Sequence, residues 1–220
     1  MKYDFQIDSM PIFWREVTRI INIEGIPSHM DLKIIGPQNW GGISISITTE
    51  LTEALEKIYR EDENIGYLQD DNPLADLYAP EYINFITKHI ESGSHISEIG
   101  AGGCYSLLKL RNLGYEVSAI DPSPITLDVG AKHGISVIPE FFPTTDHNVL
   151  RNVDACIHYD VLEHVESPEA FLTSIHNGLA VGGKTLFVVP DSTLHIEQID
   201  LSMCMHQHLN YFTDISLENL

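Results

Sequence analysis

The stretch His95-Ile-Ser-Glu-Ile-Gly-Ala-Gly-Gly103, followed eighteen residues later by Asp121 at the end of Ser118-Ala-Ile-Asp, decides how this chain reads. A short apolar run leads into a glycine turn, then a helical segment, then a second apolar run closed by a carboxylate. That order is the first βαβ unit of a nucleotide-type α/β site. Glycine has no Cβ, so backbone at Gly100 and Gly102 can approach a ligand closely, with Ala101 between them. Asp121 stands where a carboxylate grips a ribose diol.

Glu98 narrows the ligand. A carboxylate beside the glycine turn would repel the pyrophosphate of a dinucleotide. It suits a phosphate-free adenosine compound with a positive end, and S-adenosylmethionine is such a compound.

Working outward, short apolar runs alternate with helical segments. Ile96 to Ile99 is strand one, and Cys104 to Asn112 is its helix, stopped at Gly114. Glu116 to Ile120 is strand two, and Ser123-Pro124 opens a helix to His133. Ile135 to Ile138, Ala155 to His158 and Thr185 to Val189 supply three more strands, and Ser167-Pro-Glu caps the helix that reaches Leu179. This alternation predicts a mostly parallel, doubly wound Rossmann-like sheet.

Residues 1–92 read differently, as a small N-terminal helical lobe or lid. An apolar stripe spans Pro11 to Ile23, Gly36 to Gly42 is a turn cluster, and Ile43, Ile45 and Ile47 alternate with polar residues as a half-exposed strand. Thr49 to Tyr59 reads as a helix, Arg60 to Asp71 as a polar loop, and Pro80 to Ile90 as a helix with proline at its start.

Four segments together resemble, in order and spacing, the motifs of class I S-adenosylmethionine-dependent methyltransferases. They are Glu98-Ile-Gly-Ala-Gly-Gly, Ala119-Ile-Asp-Pro-Ser123, Tyr159-Asp-Val-Leu-Glu-His-Val165 and Gly178-Leu-Ala-Val-Gly-Gly-Lys-Thr-Leu-Phe187. The resemblance covers roughly residues 93 to 213 and makes 93–220 the methyltransferase domain. It implies S-adenosylmethionine as cofactor, contacted by Glu98, Gly100, Ala101, Gly102, Asp121 and Pro122. It also places an adenine pocket after strand three, with Glu140 and Phe141, and a methyl-donor mouth at Tyr159 and Asp160. The family fold continues with a sixth strand and an antiparallel seventh. Thr213 to Leu220 reads only as a capped helix start, so the domain is expected to be C-terminally incomplete.

His206-Gln-His-Leu-Asn-Tyr-Phe-Thr213 is similar to a His-Glu-His-Leu-Ser-Tyr-Phe-Ser segment of sugar C-methyltransferases and their relatives. The likeness implies an acceptor-side role, with His208 as base, backed by Tyr211, and with His206 and His164 as further candidates. Imidazole is apt because its ordinary pKa lies near neutrality. Gln207 replaces the family's acidic residue, and the cysteine-rich zinc module of those enzymes is missing. His206 and His208 as a zinc pair lack further ligands at a recognisable spacing, so no metal is expected.

Bulk properties bound the partners. Twelve basic against 32 acidic residues leave a net charge of −20, which disfavours phosphate backbones and anionic lipid. Three scattered cysteines without a CxxC pair argue against a disulfide framework. No signal-like or membrane-length apolar run occurs, so a cytoplasmic protein is expected. The expected partner is a small polar acceptor, with a nucleotide-linked sugar the leading guess and a homodimer left open. Two alternatives stand: a catalytically silent cofactor-binding partner or regulator, and an NAD-dependent oxidoreductase. Tyr105 occupies the third glycine position that the oxidoreductase needs.

Overall fold

A computed structural model describes residues 3–12, 26–61 and 73–220. Packing divides the chain into two units: Met1–Ile58 with Asp160–Glu169 and Val189–Leu220, and Tyr59–Tyr159 with Ala170–Val188.

The second unit carries a five-stranded parallel sheet. Its strands are β4 (His95–Ile99), β5 (Glu116–Ile120), β6 (Ser136–Ile138), β7 (Ala155–Tyr159) and β8 (Lys184–Val188), in the order β6-β5-β4-β7-β8. The order reverses direction at β4, so the crevice at its carboxyl end is the place where doubly wound folds take ligands. Strands buried on both faces need apolar runs, and Ile96, Ala155, Cys156 and Ile157 are fully buried. Ile96 and Ile157 pack with Tyr82, Ile86 and Leu110 in one core cluster. Each such isoleucine contributes roughly 1.5–3 kcal/mol by leaving water.

Helices α3 (Tyr105–Asn112) and α4 (Pro124–His133) connect these strands. The helix expected from Pro80 begins earlier, as α2 (Pro73–His89), with Pro80 in its interior. An interior proline loses one backbone hydrogen bond, and burial of Ala75, Ala79, Tyr82 and Ile86 offsets that loss. α5 (Pro168–Gly178) follows β7 in sequence and carries the buried Phe171 and Ile175.

The first unit differs from the expected helical lobe. β1 (Tyr3–Pro11), β2 (His29–Gly36), β3 (Ile43–Ile45) and β9 (Asn210–Tyr211) form an antiparallel sheet in that order. α1 (Thr49–Glu61) is the expected helix after β3. The rest of the Pro11–Ile23 stripe beyond Ile12 lies outside the described residues, as does most of the Arg60–Asp71 loop. The packing division also does not fall at residue 92. Ile43 pairs with Tyr211 and Ser44 with Asn210, so the segment after β8 belongs with the N-terminal strands. Trp40 and Phe212, ring centroids 5.2 Å apart, reinforce that pairing. Thr213 caps α6 (Asp214–Glu218) in a reciprocal capping box with Ser216, as the sequence suggests.

Candidate functional site

The glycine turn follows β4 and is held in shape by Asp121. Gly100 and Gly102 have φ of 70° and 50°, a left-handed backbone that a side chain strains. Asp121 Oδ2 accepts the Gly102 N–H at 2.8 Å and Oδ1 accepts the Ser123 N–H at 2.7 Å. Thr126 donates its hydroxyl to the Gly102 carbonyl at 2.7 Å. Ala101 packs with Cys104, Leu107, Ala119 and Ile135, which anchors the turn from below. Gly100 stays exposed and Pro122 half-buried.

Glu98 is only 3% exposed, set within β4 rather than on an open surface. Burial pushes its carboxyl up to about 8, the neighbouring Asp121 charge adds to the rise, and the Ser106 hydroxyl opposes it. Asp121 is likewise raised by burial, against its hydrogen bonds to Gly102 and Ser123. Glu98 Oε2 has no hydrogen-bond partner. A nearby positive charge would lower a carboxyl raised in this way and favour its ionised form. Asp121 spends one acceptor position on each oxygen, and a carboxylate offers about four, so positions remain for a diol.

Glu140 and Phe141 are built into a loop. Thr145 donates to both Glu140 oxygens, its N–H at 2.8 Å and its hydroxyl at 3.1 Å. Phe141 meets Tyr59 edge-on at 6.4 Å, and the Arg60 guanidinium lies 4.8 Å from its ring centre. Tyr59 and Arg60, at the end of α1, escape the sequence reading because nothing in a helix end signals an aromatic neighbour some eighty residues away. Tyr159, half-buried, meets Tyr82 edge-on at 4.9 Å.

In the first unit the structure sets His206 apart from the other three acceptor-side candidates. Asp160, with φ of 51°, opens the loop that carries the 3-10 turn Leu162–His164. His164 and His208 come together, ring centroids 5.1 Å apart, and His208 lies 6.3 Å from Tyr211. His206 is fully buried with Nδ1 facing the Pro11 carbonyl at 3.3 Å. Burial, with His164 adding to it, holds His208 down at about 3, so it is neutral at physiological pH. Burial pushes the Tyr211 phenol up, and its hydroxyl pairs with the Met205 backbone. Glu163, absent from the sequence-based site, is buried and pushed up to about 8 by burial and by Asp160. Glu163, His164 and His208 present ligand atoms all within 4.8 Å of one another. A cavity of about 50 Å³ is lined by Glu163, His208, Asn210 and Tyr211, with Asp191 and His195.

The family described as a methyltransferase domain matches residues 73–220. The chain belongs to that family. Its parallel sheet and flanking helices are those of class I S-adenosylmethionine-dependent methyltransferases. A mitochondrial ubiquinone biosynthesis O-methyltransferase of Schizosaccharomyces pombe is 28% identical over 136 residues, 56% of this chain and 47% of that protein. A ubiquinone biosynthesis O-methyltransferase of Xylella fastidiosa is 27% identical over 152 residues, 62% of this chain and 61% of that protein. The chain thus spans about half the length of the curated relatives it matches.

Two solved structures share the fold. The DhpI–SAM–HEP complex superposes with a TM-score of 0.57 at 22% identity, covering 78% of this chain and 87% of that one. The Burkholderia thailandensis 1,6-didemethyltoxoflavin-N1-methyltransferase gives 0.55 at 17% identity, covering 86% and 82%. Among the described residues no helix is long and apolar enough to cross a membrane.

Proposed function

We propose that the chain binds S-adenosylmethionine at the glycine turn and transfers its methyl group to a small polar acceptor, at a hydroxyl oxygen. The observation that carries the reading is the buried Glu98–Asp121 pair with its orphaned Glu98 oxygen at the carboxyl end of β4. Buried carboxyls that ionise more readily once a positive charge enters, beside glycine backbone, fit a cationic adenosine compound better than a dinucleotide. The cofactor, when bound, supplies a methyl group on a sulfonium that departs as a neutral thioether.

The chain's own residues then have limited work. Asp121 would offer its remaining lone pairs to the ribose hydroxyls while keeping the turn folded through Gly102. Glu98, proton-bearing near neutral pH in the empty site, would ionise as the cofactor's positive end arrives and so balance it. Phe141, Glu140 and Tyr159 are assigned to the adenine side and the donor mouth. Alignment and exclusion of water supply most of the acceleration in such a displacement. His208 is assigned to the acceptor side with His164 and Tyr211 as its surroundings, while His206 turns to the Pro11 carbonyl. Its depressed pKa makes it a weak proton acceptor, since a good general base titrates near the working pH.

The hydroxyl acceptor follows the O-methyltransferases that match by sequence. A nucleotide-linked sugar, as a narrower acceptor, rests on the likeness of His206–Thr213 to sugar C-methyltransferases. A net charge of −20 argues against nucleic-acid acceptors. The test is transfer from isotopically labelled S-adenosylmethionine across phenols, nucleotide sugars and other small hydroxyl compounds, with Asp121→Ala alongside. Labelled product that depends on Asp121 supports the reading. Donor binding with no transfer to any class of acceptor contradicts it.

A further inference from the structure

The glycine turn ends in a strained residue. Gly100, Gly102 and Cys104 all lie in the left-handed region, with φ of 70°, 50° and 55°. Glycine takes that conformation at no steric cost, whereas at Cys104 the Cβ crowds the neighbouring backbone. A residue strained in this way persists only where its surroundings over-determine it. Asp121 secures the middle of the turn by accepting the Gly102 N–H. Cys104 lies two residues further on, as the N-cap of α3, and no side chain caps the helix there.

Tyr105, the next residue and the first of α3, is tied down by three separate contacts. It is 5% exposed and packs with the buried Ala75 and Ala79 of α2, whose small side chains let the helix come close to the ring. The Lys109 ammonium, one helical turn on, lies 4.9 Å from the ring centre. The hydroxyl donates to Asp76 Oδ1 at 2.9 Å. Asp76 stands in the first turn of α2, where a negative charge suits the helix dipole. Apolar packing alone lets a ring slide along its neighbours, but a directional hydrogen bond fixes its position along α2.

We propose that Tyr105, held by Asp76, is the second anchor of the glycine turn: it keeps Cys104 left-handed and so presents the turn ready-made to the donor. Tyr105 is a positioning residue on this reading, acting on the donor through the backbone of the residue before it. A donor that meets an ordered turn loses no binding energy to ordering it. The consequence for donor affinity rests on S-adenosylmethionine binding at this turn, while the consequence for the empty turn does not. All the residues concerned belong to the second unit.

The test is amide hydrogen exchange on the full chain without donor, read at Gly102 and Cys104. Their N–H groups are bonded to Asp121 and to the Ala101 carbonyl. Tyr105→Phe keeps the ring and removes the hydroxyl, and Asp76→Ala removes the acceptor at an exposed position that spares the core. Each should speed exchange at both turn amides by about three- to tenfold. Asp76→Asn, whose amide oxygen still accepts, should behave like the parent. Calorimetric titration with S-adenosylmethionine should show donor affinity falling by a similar factor in the first two variants.

A second background separates an anchor from a purely structural contact. Cys104→Gly removes the strain, so adding Tyr105→Phe to it should no longer change turn exchange or donor affinity. Whatever the lost hydroxyl costs the fold as a whole reads at the fully buried Ile157 in β7, and should be equal in both backgrounds. Unchanged turn exchange in Tyr105→Phe overturns the proposal, as does an effect of the same size with Cys104→Gly present. Faster exchange without weaker donor binding overturns the link to the donor. If the unsubstituted chain takes up no S-adenosylmethionine, the donor reading falls and the exchange result still decides the anchor.

Discussion

Replacing Glu98 by glutamine should change how stability depends on pH, by an amount the burial of this residue sets. An unfolded chain releases the Glu98 proton near its ordinary value of 4.5, whereas the folded chain keeps it until about 8. Between those values the folded state binds more protons, so stability falls as pH rises through that window. At about 1.4 kcal/mol per pH unit, the difference between 4.5 and 8 has a ceiling of roughly 5 kcal/mol. Relaxation and water entry on ionisation reduce that figure, to on the order of 2–5 kcal/mol. Glutamine keeps the shape and cannot ionise, so it escapes the loss. Urea denaturation of both proteins at pH 5, 6.5 and 8.5 reads the effect. The variant should gain on the parent by that amount between the lowest and highest pH. Glu163 tilts both curves in the same direction and drops out of the difference. A constant gap between the two proteins across the range would refute the placement of Glu98 as a charge-averse buried acid.

Three shorter predictions follow from other residues. Asp121→Ala leaves the Gly102 and Ser123 N–H groups without acceptors, costing about 1–3 kcal/mol of stability for each, and should weaken donor binding in a calorimeter. Gly102→Ala forces a side chain into a left-handed backbone, so a melting experiment should report about 1–2 kcal/mol lost, together with weaker donor binding. His158, with neither ring nitrogen hydrogen-bonded and stacked 4.7 Å from Phe187, is pushed down to about 3 by burial. A group held below its ordinary 6.5 adds stability that disappears as pH falls from 6.5 towards 3. His158→Phe should therefore resist acid unfolding better than the parent in a circular-dichroism pH titration.

The parallel sheet was legible because its signals are local. Each strand is a short apolar run, each turn has glycine or a Ser-Pro cap, and Glu116–Ile120 and Pro124–His133 coincide with the expected bounds. The first unit was misjudged although a signal was there. Tyr3, Phe5 and Ile7 alternate with Asp4, Gln6 and Asp8, and Met30, Leu32 and Ile34 with Asp31 and Lys33, which is the period of a strand. The helical stripe from Pro11 to Ile23 follows directly on the first of these alternations and has the stronger local period. The pairing of β3 with β9 joins residues more than 160 positions apart, and no local pattern announces that.

Much of the candidate site was legible as residue types but not as environments. Glycine turn and aspartate follow from spacing, yet the bond from Gly102 to Asp121 requires the fold. His206 and His208 look equivalent in sequence, while one faces a backbone carbonyl and the other faces His164. Glu163 reads as a scaffold residue of a helix start until its orphaned oxygen and two imidazole neighbours are seen together.

The central claim is that the turn closed by Asp121 accepts a phosphate-free, positively charged adenosine compound. Isothermal titration of the purified chain with S-adenosylmethionine, and with NAD in parallel, tests it most directly. Saturable binding of one S-adenosylmethionine per chain, lost in Asp121→Ala and not matched by NAD, is the predicted result. No heat with S-adenosylmethionine, or preference for NAD, would contradict it.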